Sequence, residues 1–141
     1  MHATGTKKHV KVIVVRAASK RGSLENESWV AGQLRTCLQN IAAAGLTVTY
    51  GGLARLLELS PPNTINQITV ALERLMEEDA QVGRPFIAAL VLSKSRGGLP
   101  AMGFFDCARR LGRFAGDPDG GEARSFHATE LNAAQKFWGW T

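Results

Sequence analysis

A few histidines and a run of carboxylates are the residues that could support metal or acid–base chemistry in this chain. His127 and Glu130 are three positions apart on a predicted helix, a spacing found in some metal sites, but one such pair supplies only two ligands. We therefore favour a surface histidine beside a carboxylate. The run Glu77-Glu78-Asp79 falls at the predicted end of a helix, where the helix dipole disfavours negative charge, and we interpret it as a solvated face.

Other catalytic patterns are absent from the sequence. It has no Gly-x-Ser-x-Gly elbow, and Gly97-Gly98 lacks the Gly-Lys-Ser/Thr sequence of a phosphate-binding loop. Cys37 and Cys107 are too few for a disulfide framework, and each lies in an apolar helical pattern, which predicts buried thiols. We predict no catalytic residue, no metal and no cofactor, and a small enzyme with an unrecognised site stays open as an alternative.

Polar residues at the start of a predicted second helix are of the types that contact DNA bases. Residues 50–57 predict a short helix, Pro61-Pro62 breaks it, and a longer helix follows to about residue 80, an order typical of a helix-turn-helix. The second helix of such a unit enters the major groove, where Asn and Gln match adenine and Thr meets a base or a thymine methyl. The residues at that position here are Asn63, Thr64, Asn66 and Gln67.

Basic residues around this unit could hold the DNA backbone. Arg55 lies on the first helix, and Arg74 lies on the second, two turns beyond its start. Lys94 and Arg96 lie in a glycine-containing loop after the strand-like residues 85–92, and this strand and loop form a candidate wing. The predicted nucleic-acid contacts are Tyr50, Arg55, Asn63, Thr64, Asn66, Gln67, Arg74, Lys94 and Arg96.

Apolar periodicity predicts the helices that carry these residues. Apolar steps of three and four mark an amphipathic helix over residues 29–44, and Gly45 ends it. Thr49 is expected to cap the next helix through its hydroxyl. The long helix that follows, with Asn63 or Thr64 as its cap, should bury Ile65, Ile68, Leu72, Leu75 and Met76.

Two apolar runs predict strands, at residues 9–16 and 86–92, and residues 17–28 predict a loop. A final helix over residues 122–138 carries several aromatic residues. We predict a mixed α/β (α+β) fold: a winged helix-turn-helix core with an added N-terminal helix and a C-terminal aromatic helix.

The net charge of +5 comes from the beginning of the chain. Residues 1–23 carry six basic and no acidic residues, which leaves 11 basic and 12 acidic residues in the remainder. We predict a basic N-terminal arm at 1–23, which either touches polyanions or is only a solvated tail, and a single winged-helix-like domain at 24–141. No apolar run approaches the roughly 18–20 residues that span a bilayer, so we expect a cytoplasmic protein with no membrane contact.

Residues 48–104 contain the pattern Val-Thr-Tyr-Gly-x-Leu-Ala-x-Leu-Leu, then a turn, a helix, a proline and a glycine-rich return. This block resembles the winged-helix DNA-binding domain of the O6-alkylguanine-DNA alkyltransferases and their alkyltransferase-like relatives. It is more similar to an uncharacterised bacterial family of that type, through residues 84–92 and the Gly-x-Pro-x-x-Gly-Phe pattern at 98–104. The resemblance covers about 57 of the 141 residues and implies a winged helix that binds DNA.

The resemblance does not extend to alkyl transfer. Alkyltransferases carry Pro-Cys-His-Arg, whose thiolate accepts the alkyl group, whereas residues 85–90 contain neither cysteine nor histidine. The position of the family's base-displacing arginine falls in the region of Asn66 and Gln67. We therefore expect non-catalytic, regulatory binding of double-stranded DNA. The alternative is a protein-interaction module on the same scaffold, with Trp138 and Trp140 as anchors.

Overall fold

The computed structural model describes residues 23–139, and this part of the chain is mostly helical. Its elements are α1 Ser23–Ala43, β1 Val48–Thr49, α2 Tyr50–Leu56, α3 Thr64–Gln81, β2 Val91–Leu92, α4 Met102–Arg110 and α5 Gly121–Gly139, with 3₁₀ helices at Ile87–Leu90 and Lys94–Arg96. The predicted strand at residues 9–16 lies outside the described residues. None of the helices named here is long and apolar enough to cross a membrane.

The first helix starts earlier than the sequence predicts. α1 begins at Ser23, so the predicted loop is wrong for residues 23–28. The sequence Leu-Glu-Asn-Glu that follows Ser23 is acidic, and negative charge favours a helix N-terminus. The predicted end of α1 is confirmed, since Gly45 adopts φ +71° and its N–H donates to the Ala42 carbonyl at 2.9 Å.

α2 and α3 lie where the sequence places a short and a long helix. The predicted cap of α2 is confirmed, because the Thr49 hydroxyl accepts a hydrogen bond from the Gly52 N–H at 3.0 Å. Asn63 occupies the N-cap of α3 in a left-handed conformation, and its side chain makes no capping hydrogen bond. Ile65 is 47% exposed, so its predicted core position is wrong. α3 enters the core from Ile68 onward, and the other predicted core residues of this helix are buried.

The apolar run at residues 86–92 is a strand only at its end. Val91 and Leu92 pair in parallel with Val48 and Thr49, and this is the sheet of the described part of the chain. The preceding Ile87–Leu90 is a 3₁₀ helix that contacts α1, α3 and α5. Because helices surround these residues, a continuous apolar run is expected whether or not they form a strand. The candidate wing loop likewise contains a 3₁₀ helix, at Lys94–Arg96.

The interpretation of Glu77-Glu78-Asp79 as a solvated face is wrong for Asp79, whose side chain is fully buried. Oδ1 of Asp79 lies 2.9 Å from Nη1 of Arg35 and accepts a hydrogen bond from Nε of Arg84 at 2.7 Å. Its Oδ2 accepts from the Ile87 N–H at 3.0 Å. This Asp79 cluster, formed by Asp79, Arg35 and Arg84, joins α1 and α3 to the segment that leads into β2.

Trp138 packs against the same cluster. The guanidinium carbons of Arg35 and Arg84 each lie 4.9 Å from its ring centroid, and its indole N–H donates to the Pro85 carbonyl at 3.2 Å. Trp138 is 7% exposed. The expectation that it is a surface anchor for a partner is therefore wrong, and Trp140 lies outside the described residues.

His127 and Glu130 are also part of the interior, so the interpretation of a surface histidine beside a carboxylate is wrong. His127 is 5% exposed, and its Nε2 donates to the Ala89 carbonyl at 2.9 Å. Oε2 of Glu130 accepts from the Phe86 N–H at 2.9 Å and from Nη1 of Arg113 at 3.1 Å. The two side chains thus bind different backbone groups of residues 86–89.

We expect Asp79→Asn to destabilise the fold strongly, by about 3–5 kcal/mol, because it leaves the guanidinium groups of Arg35 and Arg84 without their buried counter-charge. Urea unfolding measures this change. Glu77→Gln is the matched control, since Glu77 lies on the same helix, is exposed and pairs with the exposed Arg110. Similar losses of stability in the two variants would contradict a special role for Asp79.

We also expect the free energy of unfolding to decrease as the pH falls, because of His127. Burial lowers the pKa of this imidazole below its ordinary value of 6.5, and the nearby Arg124 charge lowers it further. The unfolded chain takes up the proton near pH 6.5, whereas the folded chain takes it up only at lower pH. The contribution of neutral His127 to the free energy of unfolding is therefore complete above pH 6.5 and is lost as the pH falls below it. Urea unfolding of the wild type and of His127→Gln between about pH 8 and pH 5.5 tests this. A stability difference that does not change with pH would contradict it.

Candidate nucleic-acid interface

The parallel pairing of β1 and β2 brings Tyr50 and Lys94 to one edge of the small sheet. Val48 pairs with Val91 and Thr49 with Leu92, so the residues that follow each strand emerge side by side. Tyr50 follows β1 directly, and Ser93 and Lys94 follow β2. A cleft of about 250 Å³ opens at this edge against the start of α3. We call it the basic cleft, and its lining includes Thr49, Tyr50, Arg55, Ile65, Thr69 and Lys94.

Arg55 and Lys94 give this cleft its charge. Both side chains are exposed, and neither forms an ion pair with another residue in 28–139. An anion could therefore approach both cations without displacing a carboxylate of that part of the chain. The first turns of α3 form the neighbouring wall, through Ile65 and Thr69.

Two of the predicted base contacts have exposed side chains and one is engaged within the protein. Asn63 and Asn66 are exposed at the start of α3, and Thr64 is half-buried. The Gln67 amide donates to the carbonyls of Ser60 at 3.1 Å and Pro62 at 3.3 Å. Gln67 thus closes the turn between α2 and α3.

The other two predicted backbone contacts do not join the basic cleft. Nε of Arg74 lies 3.8 Å from Glu78, one turn further along α3. The Arg96 guanidinium donates to the carbonyls of Pro100 and Pro118, at 3.2 and 3.0 Å, and to Oδ1 of Asp119 at 2.9 Å. Arg96 therefore fastens its own loop to the loop before α5, and the four predicted cations do not form one continuous face.

Tyr50 separates the basic cleft from a second cavity. Its hydroxyl oxygen accepts a hydrogen bond from the Ala101 N–H at 3.3 Å, and burial raises the pKa of the phenol, so it stays neutral. The second cavity, of about 270 Å³, lies between α3 and the start of α4. We call it the Glu73 cavity, and besides Tyr50 its lining includes Leu72, Glu73, Met76, Met102 and Phe104.

Sequence reasoning missed the Glu73 cavity, although one signal pointed toward it. Thr69, Glu73 and Met76 follow each other at steps of four and three, which places them on one stripe of α3. Glu73 therefore borders the core side of the helix.

The remaining candidate groups offer little chemistry. Cys37 and Cys107 are buried, as predicted, and burial raises the pKa of the Cys107 thiol to about 11, so it is protonated near neutral pH. Within residues 23–139, no three histidine, cysteine or carboxylate side chains are arranged to hold a metal ion.

No protein-family model, no curated protein and no solved structure matches the chain.

Proposed function

We propose that this protein binds double-stranded DNA without catalysing a reaction on it, using α2, the following turn and α3 as a helix-turn-helix and the loop at Lys94 in the position of a wing. The observation that carries the proposal is the basic cleft. It places two cations, Arg55 and Lys94, which form no ion pair with residues 28–139, beside the first turns of the longer helix. A helix-turn-helix presents these turns to the major groove and its flanking residues to the backbone.

The charges favour contacts to the phosphate backbone over contacts to bases. Arg55 and Lys94 are free to meet phosphates, and the basic residues of 1–23 would add charge that does not depend on sequence. Asn66 is exposed one turn into α3 and is the best placed amide for a base, because Gln67 is engaged in the turn. The affinity is therefore mainly electrostatic, and base contacts add a small sequence preference.

The alternative of a protein-interaction module loses one of its two expected anchors. Trp138 is buried against the Asp79 cluster, and Trp140 lies outside the described residues. No other described residue takes its place as an exposed aromatic anchor beside the basic cleft, since Phe137 lies on α5 and does not line it.

We expect Lys94→Ala to weaken binding to all duplex sequences and to reduce the dependence on salt, with a slope of log K against log salt smaller by about 0.9, as for one lost phosphate contact. Fluorescence anisotropy of a labelled duplex across a salt series measures both. The control is Lys136→Ala, which removes the same charge from an exposed position on α5 outside the cleft.

Two outcomes would overturn the proposal. If the wild-type protein does not bind duplex DNA at low salt, the function is wrong. If Lys94→Ala and Lys136→Ala weaken binding equally, DNA does not lie in the basic cleft.

We expect Asn66→Ala to reduce the preference for the best sequence, at a cost of about 1–3 kcal/mol if one base contact is lost, while random duplexes bind as before. The preferred sequence comes from selection on a random duplex pool with the wild-type protein. Asn132→Ala, at an exposed amide on α5, is the matched control. It should change neither the affinity for the preferred sequence nor the affinity for random duplexes. An unchanged preference in Asn66→Ala would remove base contacts by this helix.

A further inference from the structure

The Glu73 cavity combines apolar walls with one charged lining residue, Glu73. Leu72 and Met76 of α3 form one side, and Met102 and Phe104 of α4 form the other. The cavity of about 270 Å³ is slightly smaller than the roughly 300–1,000 Å³ of typical ligand sites. A ligand with an apolar body of several carbon atoms would bury its surface here.

Glu73 contributes the charge. Its half-buried carboxylate makes no hydrogen bond or ion pair with any residue in 28–139. Arg110 of α4 binds Glu77 at 3.2 Å and the Cys107 sulfur at 3.3 Å, and the Glu73 charge acts on it without a hydrogen bond or ion pair. The Glu73 carboxylate lies beside the start of α4. A Cβ atom added to Gly103 would be 3.9 Å from Oε2 of Glu73.

Tyr50 provides the second polar group of the cavity. Its oxygen accepts one hydrogen bond, from the Ala101 N–H, and has capacity for a second donor. Burial raises the pKa of this phenol, the Ala101 hydrogen bond and the Arg96 charge oppose that rise, and the Glu73 charge adds to it, so the carboxylate acts on the hydroxyl electrostatically. The ring of Tyr50 also lines the cavity, and aromatic rings attract cations.

We propose that the Glu73 cavity binds a small organic cation, an amine carried on an apolar or aromatic body. The ammonium group would lie near the Glu73 carboxylate and donate to the Tyr50 oxygen, and the apolar body would contact Met76, Met102 and Phe104. An anion of the same shape is excluded by the Glu73 charge, and a neutral analogue lacks the ionic attraction. Arg55 and Lys94 do not line this cavity, although the ring of Tyr50 borders both it and the basic cleft.

The test compares three probes of nearly equal shape and different charge: phenethylamine, phenethyl alcohol and phenylacetate. Each is titrated into the full chain at neutral pH, and amide chemical shifts in the NMR spectrum report both affinity and location. We expect phenethylamine to bind about tenfold more tightly than the alcohol, with shifts at residues 101–104, and phenylacetate not to bind.

Glu73→Gln should abolish the difference between the amine and the alcohol while the apolar contacts remain. Asp106→Asn is the control, since it removes an exposed carboxylate of α4 that does not line the cavity, and it should preserve the difference. The same NMR spectra show whether each variant is folded. Equal binding of amine and alcohol to the wild type, no binding of the amine, or equal effects of the two substitutions would each overturn the proposal.

Discussion

The buried carboxylate of Asp79 is the interaction on which the rest of the structure depends. It accepts hydrogen bonds from the Ile87 N–H and from Arg84, and it forms an ion pair with Arg35. A buried carboxylate without such partners would be strongly unfavourable. Because its partners belong to α1 and to the segment before β2, the carboxylate fixes the relative position of three parts of the chain. Trp138 then covers the same guanidinium groups and attaches the end of α5.

The segment at residues 84–92 connects the Asp79 cluster to β2 and so to the surface. Arg113 donates to the Arg84 carbonyl and Glu130 accepts from the Phe86 N–H, so buried polar groups hold the backbone on both sides of Pro85. From there the chain passes through the 3₁₀ helix into β2. The strand pairing then decides where Lys94 emerges relative to Tyr50. The position of the basic cleft thus depends on buried charges that do not line it.

Much of the helical framework could be predicted from the sequence, because its signals are local. Apolar spacing located α1, α3 and α5, the Thr49 hydroxyl marked the start of α2, and Gly45 marked the end of α1. The failures concern residues whose partners are distant in sequence. Asp79 and His127 were taken as surface groups because Arg35 and the Ala89 carbonyl, which accommodate them, lie 44 and 38 positions away.

The candidate site was predictable in part for the same reason. Residue type alone indicated Arg55 and Lys94, which the structure brings to one cleft, but it did not distinguish them from Arg96. Only the fold shows that the loop before α5 comes back to occupy the Arg96 guanidinium. Glu73 was missed because one helix position can belong to the outer surface and to the rim of a cavity between two helices.

The two-residue parallel sheet also has a consequence for how the protein folds. Val48 pairs with a residue 43 positions later in the chain, so the sheet closes a long loop whose entropy must be overcome before any strand contact forms. Helices α2 and α3 are local elements that can begin to form early, but the edge at which Tyr50 and Lys94 meet is non-local. We therefore expect the basic cleft to form after these two helices. A fragment that contained only the two helices would carry Arg55 and lack the opposite wall of the cleft.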